Sequence, residues 1–220
     1  MYYICPYFLD KNGHRVQKTM VGKVALDEQK LTPQKFSMTY PLIINLQDEK
    51  VKTKVNEDIV NQVSELFKNQ VLLTEKIDLS EVFGAYEIGV NRNYILSILF
   101  SIYTYMNMAA HGLTVYSSIT VNTRTGKVYS FSDLFNPKMN YLGELTTIVK
   151  KYIKDNNIQL IENYKGVTND QEFYLTNDKL VLYYQVYAYT PYYYGLFRIP
   201  IPYTEIKNLL GPMSPINNLI

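Results

Sequence analysis

Cysteine and histidine are scarce in this sequence, and their scarcity excludes several kinds of site. The single cysteine, Cys5, rules out an intrachain disulfide framework and any zinc site built on several thiolates. Two histidines, His14 and His111, leave little for histidine-based catalysis or metal binding. The sequence also lacks tryptophan, the glycine-rich nucleotide-binding motifs, the serine nucleophile elbow and the zinc-protease helix motif. Composition and general motifs therefore predict no catalytic residue, no metal and no cofactor.

Neither charge nor hydrophobic runs point to a nucleic acid or a membrane. The 22 Lys and Arg residues nearly balance the 20 Asp and Glu residues, so neither nucleic acid nor an anionic membrane is the expected partner. The longest stretch of low charge, residues 94–110, is shorter than the roughly 20 apolar residues of a transmembrane helix. The apolar residues 1–9 have no positive region and are followed by Asp10 and Lys11, so no signal peptide is visible.

The composition is that of a globular domain with an excess of tyrosine. Hydrophobic residues make up 47% of the chain and charged residues 19%, and 220 residues suffice to bury a full core. The sequence has 22 tyrosines. Tyrosine offers a stiff aromatic face with a polar tip, which suits recognition surfaces. AT-rich codons, which also favour Ile, Asn and Lys, are the alternative explanation, so the positions of tyrosine clusters are more informative than their number.

Hydrophobic periodicity predicts two main helices. Between residues 48 and 70, apolar side chains recur at helical spacing opposite a polar face. The same pattern predicts a second helix over residues 141–155. Thr204 is expected to cap a short C-terminal helix that ends at Gly211.

Alternating apolar residues and turn motifs predict strands elsewhere. Asn12-Gly13 favours a tight hairpin near the N-terminus. Pro200 and Pro202 confine the last strand to a sheet edge. Residues 94–108 also fit helical spacing, but their aromatic and β-branched content favours a strand. The other predicted strands are residues 2–9, 14–24, 35–45, 82–90, 113–122, 128–131, 173–175, 179–189 and 197–202.

This order of elements predicts an α+β fold. Adjacent strands with short turns and few helices indicate an antiparallel sheet with two main helices packed on one face and a short C-terminal helix. We expect an N-terminal hairpin extension (residues 1–31), a strand-helix lobe (residues 32–80) and a C-terminal sheet and helix lobe (residues 81–220) in one compact unit.

Several segments carry a family resemblance. They are residues 105–112 (YMNMAAHG), 125–127 (TGK), 131–135 (FSDLF), 173–176 (FYLT), 180–184 (LVLYY), 187–192 (YAYTPY) and 199–203 (IPIPY). Over about residues 32–211, the sequence resembles the bacterial domain-of-unknown-function pair that forms the extracytoplasmic part of lysozyme-sensing anti-sigma-V factors. The same pair precedes some peptidoglycan polysaccharide deacetylases and also occurs alone.

The resemblance implies a non-enzymatic binding module outside the cytoplasm or associated with the cell wall. Its implied ligand is a protein such as lysozyme, a cationic muramidase, or a cell-wall polymer. This sequence departs from the anti-sigma factors because it shows no transmembrane helix and no N-terminal sigma-binding segment. Only the ligand-binding or wall-associated part is therefore carried over, and not the signalling role.

The densest aromatic segment is the candidate binding site. It follows a predicted strand, and tyrosine loses little rotamer entropy when it docks into a partner. Alternatively, these rings close the bottom of the sheet, and His111 is a structural hydrogen-bonding residue. The candidate binding residues are Tyr187, Tyr189, Thr190, Pro191, Tyr192, Tyr193, Tyr194 and His111.

Two other functions remain open from the sequence. One is a peptidoglycan-modifying enzyme or an accessory domain of one, for which Asp170 and Glu172 would be the carboxylate pair on one face of an extended segment. Adjacent carboxylates on a solvated strand are the commoner explanation. The other is a structural, self-associating envelope or spore protein that assembles through an edge strand or a tyrosine patch.

Overall fold

The computed structural model describes residues 7–9, 15–17, 33–73 and 78–220, which fall into two units, Met1–Lys30 and Leu31–Ile220. In the first unit, β1 (Tyr7–Leu9) pairs in antiparallel fashion with β2 (Arg15–Gln17). This pairing agrees with the predicted hairpin. Cys5, His14 and the Asn12-Gly13 turn lie outside the described residues.

The second unit is built around a five-stranded sheet. Its strands, in spatial order, are β3 (Lys35–Met38), β4 (Leu79–Arg92), β5 (Ile95–Met106), β6 (Leu113–Asn122) and β7 (Lys127–Val128). β4 to β7 pair in antiparallel fashion, and only β3 joins in parallel. Residues 94–108, whose spacing also fits a helix, thus contain the strand β5, as their β-branched and aromatic content favours.

Helix α1 (Glu49–Phe67) covers one face of this sheet. Asp48 caps its N-terminus by accepting hydrogen bonds from the backbone N–H groups of Lys50 and Val51. The predicted apolar stripe packs against alternate residues of β5. The members of this core are Val55, Ile59, Val63 and Leu66 from α1 and Ile98, Phe100 and Ile102 from β5. A single π-helical turn, Lys68–Leu72, continues the helix.

A second, three-stranded sheet packs on the opposite face. It consists of β8 (Phe173–Leu175), β9 (Lys179–Tyr184) and β10 (Phe197–Pro202), with β10 at the edge. Helix α2 (Tyr141–Asp155) has the predicted bounds and packs its apolar stripe against this sheet. The short helix α3 (Tyr203–Ile206) follows β10, and Thr204 lies inside it instead of capping it, because the helix begins directly after Pro202.

The α+β class is confirmed, but the strands divide between two sheets and each sheet has its own helix. The position of β9 shows how the two sheets are layered, because side chains on both faces of this strand are buried. Leu180 and Leu182 face the core that contains α2. Val181 and Tyr183 contact Leu99 on the face of β5 that is turned away from α1. The layers are therefore α1, five-stranded sheet, three-stranded sheet and α2.

Buried polar groups join the two sheets. The hydroxyls of Ser97 and Thr120 lie 2.8 Å apart, and the Ser97 hydroxyl accepts a hydrogen bond of 2.9 Å from the backbone N–H of Leu175. Tyr183 donates a 3.0 Å hydrogen bond to Ser118. Because a buried hydrogen-bonding group is costly to leave unpaired, these contacts fix how the sheets sit against each other.

Candidate functional site

The candidate site begins where β9 ends. The sequence predicts a strand over residues 179–189, but β9 ends at Tyr184 because Gln185 turns toward β6. Its side-chain amide pairs with both backbone groups of Tyr116, at 3.0 and 2.9 Å. The same amide nitrogen lies 2.8 and 2.9 Å from the carboxylate oxygens of Glu172. The start of the β9–β10 loop, residues 185–196, is thereby attached to the five-stranded sheet.

The inner part of this loop faces the protein interior. The ring of Tyr189 packs against Tyr164 and Tyr184, with centroids 5.2 and 5.0 Å apart. The hydroxyls of Tyr164 and Tyr184 lie 2.6 Å apart, and burial raises the pKa of Tyr164 to about 12. Thr190 is fully buried. Two of the predicted binding residues, Tyr189 and Thr190, therefore occupy positions that support the loop from inside.

The outer part of the loop presents tyrosine to solvent. Pro191 leads into a 3-10 turn, Tyr192–Tyr194, and Gly195 ends the turn with a positive φ of 70°, which glycine adopts without strain. Tyr193 is 77% exposed, the largest exposed fraction among the described tyrosines. Tyr194 is partly exposed and packs edge-on against Phe197. This turn therefore holds the Tyr193 ring out from the surface.

His111 connects a second loop to the first. Its Nδ1 lies 2.9 Å from the carbonyl oxygen of Gly112, which can only accept, so the neutral ring carries its proton on Nδ1. Nε2 then accepts a 3.1 Å hydrogen bond from the hydroxyl of Tyr187. The imidazole also stacks on Tyr192 with centroids 3.9 Å apart and ring planes inclined by 23°. The structure thus brings three predicted site residues, His111, Tyr187 and Tyr192, into one cluster.

Tyr103 is a member of this surface that the sequence analysis did not select. Partial burial and the nearby Glu81 and Tyr192 raise the pKa of Tyr103. A Cβ atom at Gly112 would lie 2.3 to 2.4 Å from the Tyr103 ring, so the glycine makes room for it. Tyr103 also stacks on Phe83 at 6.2 Å. The alternation of β5, which places Tyr103 opposite the buried Ile102, is the sequence signal that would have found it.

The two candidate catalytic carboxylates are each held by a neighbour. Asp170 is exposed and accepts a 2.6 Å hydrogen bond from the hydroxyl of Thr168. Glu172 is half-buried, and burial raises its pKa, while the hydrogen bonds from Gln185 act in the opposite direction. Within the described part of the chain, no group of three or more His, Cys, Asp and Glu side chains is arranged to hold a metal ion. The described helices also include none long and apolar enough to cross a membrane.

Part of the site, the β9–β10 loop, lies within a region that matches a known family model. Residues 132–204 match the family described as "Protein of unknown function (DUF3298)". The matched region contains the β9–β10 loop but not His111 or Tyr103.

One curated relative and two solved structures extend the comparison. The anti-sigma-V factor RsiV of Bacillus subtilis (strain 168) is 26% identical over 184 residues, which cover 77% of this chain. The chain spans 63% of the length of that protein. Together with the family match, this relative confirms the resemblance that the sequence motifs indicate.

The solved structures support the fold. A DUF3298 family member from Bacteroides fragilis NCTC 9343 is 21% identical with a TM-score of 0.52, over 78% of this chain and 69% of the other. A DUF3298 family protein from Pseudomonas aeruginosa PAO1 is 18% identical, also with a TM-score of 0.52, over 74% and 72% of the two chains.

Proposed function

We propose that this chain is a non-enzymatic binding module of the bacterial cell envelope. It recognises an extracytoplasmic protein such as lysozyme, or a peptidoglycan ligand, through the β9–β10 loop. The similarity to the anti-sigma-V factor RsiV supports a binding role outside the cytoplasm.

The observation that carries this proposal is the position of Tyr193. The loop is attached to β6 through Gln185 and packed from inside through Tyr189, and its outer turn leaves the Tyr193 ring exposed. A large ring held on an ordered loop binds with little loss of conformational entropy, which is the property of a binding anchor. Exposure of an aromatic side chain on a fixed turn has no benefit for folding, because the ring buries little surface.

A titration with two ligands tests the proposal. Egg-white lysozyme and soluble peptidoglycan fragments are titrated into the wild-type chain, and binding is followed by calorimetry. We expect one of them to bind with a Kd of about micromolar or tighter, and Tyr193→Ala to weaken it about ten-fold or more. Tyr94→Ala is the matched control, because Tyr94 is also an exposed tyrosine. It lies just before the start of β5, whereas His111, which contacts the β9–β10 loop, follows the end of β5. Absence of binding to both ligands, or equal loss in both variants, contradicts the proposal.

A further inference from the structure

Met108 is the most exposed large apolar side chain of the described residues. It lies in the β5–β6 loop, residues 107–112, and its side chain is fully solvent-accessible. Its φ is 62°, a left-handed conformation that is unfavourable for a non-glycine residue. The left-handed backbone belongs to a turn that the backbone N–H of Ala109 closes by donating to the carbonyl oxygen of Met106 at 3.1 Å. The exposed apolar side chain, by contrast, contributes nothing to the core.

The loop around Met108 is nevertheless ordered by specific contacts. On one side, the backbone N–H of Asn107 donates to the carbonyl oxygen of Asp78 at 3.1 Å, and the Asn107 side chain donates to the Asp78 carboxylate at 2.9 Å. On the other side, the hydroxyl of Tyr105 donates to the carbonyl oxygen of Ala109 at 3.0 Å. These hydrogen bonds hold the backbone on both sides of Met108, so the point at which its side chain leaves the backbone is fixed.

The β9–β10 loop repeats this arrangement. Tyr187 also has a left-handed backbone, with a φ of 69°, and its side chain is 47% exposed. His111 joins the two loops by bonding to Tyr187 and stacking on Tyr192. Met108 and Tyr193 are therefore carried by one connected surface, which we call the two-loop surface (residues 107–112 and 185–196).

The two-loop surface carries no charged residue. Neither segment contains Asp, Glu, Lys or Arg, although these residues make up 19% of the chain. The buried centres of protein–protein interfaces are depleted in charge and enriched in tyrosine and methionine. A glycan rich in hydroxyl and amide groups is recognised by strong hydrogen-bonding side chains, and the fully exposed Met108 offers only a weakly accepting sulfur.

We infer that the two-loop surface binds an uncharged, apolar depression on a folded protein, with Met108 as a second anchor beside Tyr193. This inference rests on the proposed function and specifies the chemistry of the partner. Methionine is flexible and polarisable and adapts its shape to a pocket, while the tyrosines supply rigid contacts and hydroxyls at the rim. Because neither segment of the two-loop surface carries a charged residue, we expect screening by salt to have little effect on the affinity.

The experiment compares four single variants in the lysozyme titration. We expect Met108→Ala to weaken binding about ten-fold, as Tyr193→Ala does. Met213→Ala is the matched control for Met108→Ala, because Met213 is another highly exposed methionine. Tyr94→Ala again controls for Tyr193→Ala. All four side chains are exposed, so circular dichroism should show unchanged folding. For the wild type, we expect the Kd to change less than about three-fold between about 50 and 500 mM NaCl.

The outcomes separate this inference from the proposed function. If lysozyme binds and Tyr193→Ala weakens this binding, but Met108→Ala behaves like Met213→Ala, Met108 is not a second anchor and the proposed function stands. A Kd that rises about ten-fold or more with salt overturns the uncharged contact in the same way. Binding of peptidoglycan fragments in place of lysozyme overturns the protein partner alone. Failure of both ligands to bind the wild type overturns the proposed function and the inference together.

Discussion

The imidazole of His111 lies flat on the phenol ring of Tyr192, with 3.9 Å between the ring centroids. His111 belongs to the β5–β6 loop of the five-stranded sheet, and Tyr192 belongs to the loop that leaves the three-stranded sheet. This ring contact, supported by the hydrogen bond from Tyr187, therefore joins loops from two different sheets.

Removal of the imidazole should release the outer part of the β9–β10 loop. We expect His111→Ala to lower the free energy of unfolding by about 1–2 kcal/mol, since it removes one stack and two hydrogen bonds. Amide hydrogen exchange of residues 187–195 should accelerate. His111→Phe keeps a ring against Tyr192 but removes the acceptor for Tyr187, so an intermediate rate is expected. Unchanged exchange in His111→Ala would show that the stack does not order the loop.

The hydroxyl pair of Tyr164 and Tyr184 should behave as a coupled unit. Replacement of either residue by Phe leaves the other hydroxyl without its partner, so each single variant should lose about 1–3 kcal/mol of unfolding free energy. The double variant should lose clearly less than the sum, because no unpaired hydroxyl remains. Urea denaturation of the four proteins completes the cycle, and strictly additive losses would contradict the pairing.

Gly112 should be sensitive to a single added methyl group. Gly112→Ala places a Cβ against the Tyr103 ring and should cost about 1–3 kcal/mol of stability. In a Tyr103→Ala background, the same substitution should cost almost nothing. Gly195→Ala is the contrasting control: its Cβ would meet no atom within 4 Å, so its backbone penalty of about 1–3 kcal/mol should not depend on Tyr103. Equal costs of Gly112→Ala with and without Tyr103 would exclude a steric role.

Glu172 should make stability depend on pH in a defined direction. Burial raises its pKa above the ordinary value of 4.5, so the folded state binds its proton more tightly than the unfolded state does. The contribution of Glu172 to stability therefore decreases as the pH rises from about 4.5 through the folded-state pKa. Glu172→Gln abolishes this titration and keeps an oxygen that accepts from Gln185.

The measurement for Glu172 is urea denaturation at about pH 4 and about pH 7. The stability of Glu172→Gln relative to the wild type should increase between the two pH values. Glu57→Gln, which changes an exposed carboxylate on α1, serves as the control and should show a smaller change. A constant difference between Glu172→Gln and the wild type would mean that burial does not govern the proton affinity of Glu172.

Elements with strong local patterns are the ones that the sequence predicts well. The stripe of α2 gives its exact bounds, and Asp48 marks the start of α1. The two prolines of β10 place it at an edge, as observed. In each case the decisive interactions are between near neighbours in the chain, so periodicity and residue preferences contain the information.

Features that depend on distant contacts are not visible in one sequence. The apolar alternation after Tyr184 continues the pattern of a strand, but the contact of Gln185 with Tyr116, 69 residues away, ends it. The cluster of His111 with Tyr187 joins residues 76 positions apart. The division into two sheets did leave a local signal, because the unbroken apolar run of residues 180–183 is typical of a strand buried on both faces.

The tyrosines of the β9–β10 loop differ strongly in how well they tolerate substitution. Tyr189 is committed to Tyr164 and Tyr184, so few other side chains fit its place. Tyr193, four positions later, meets solvent and accepts almost any substitution without loss of the fold. In such a loop, mutations at the tip can change which ligand is bound, while the residues at the base preserve the fold.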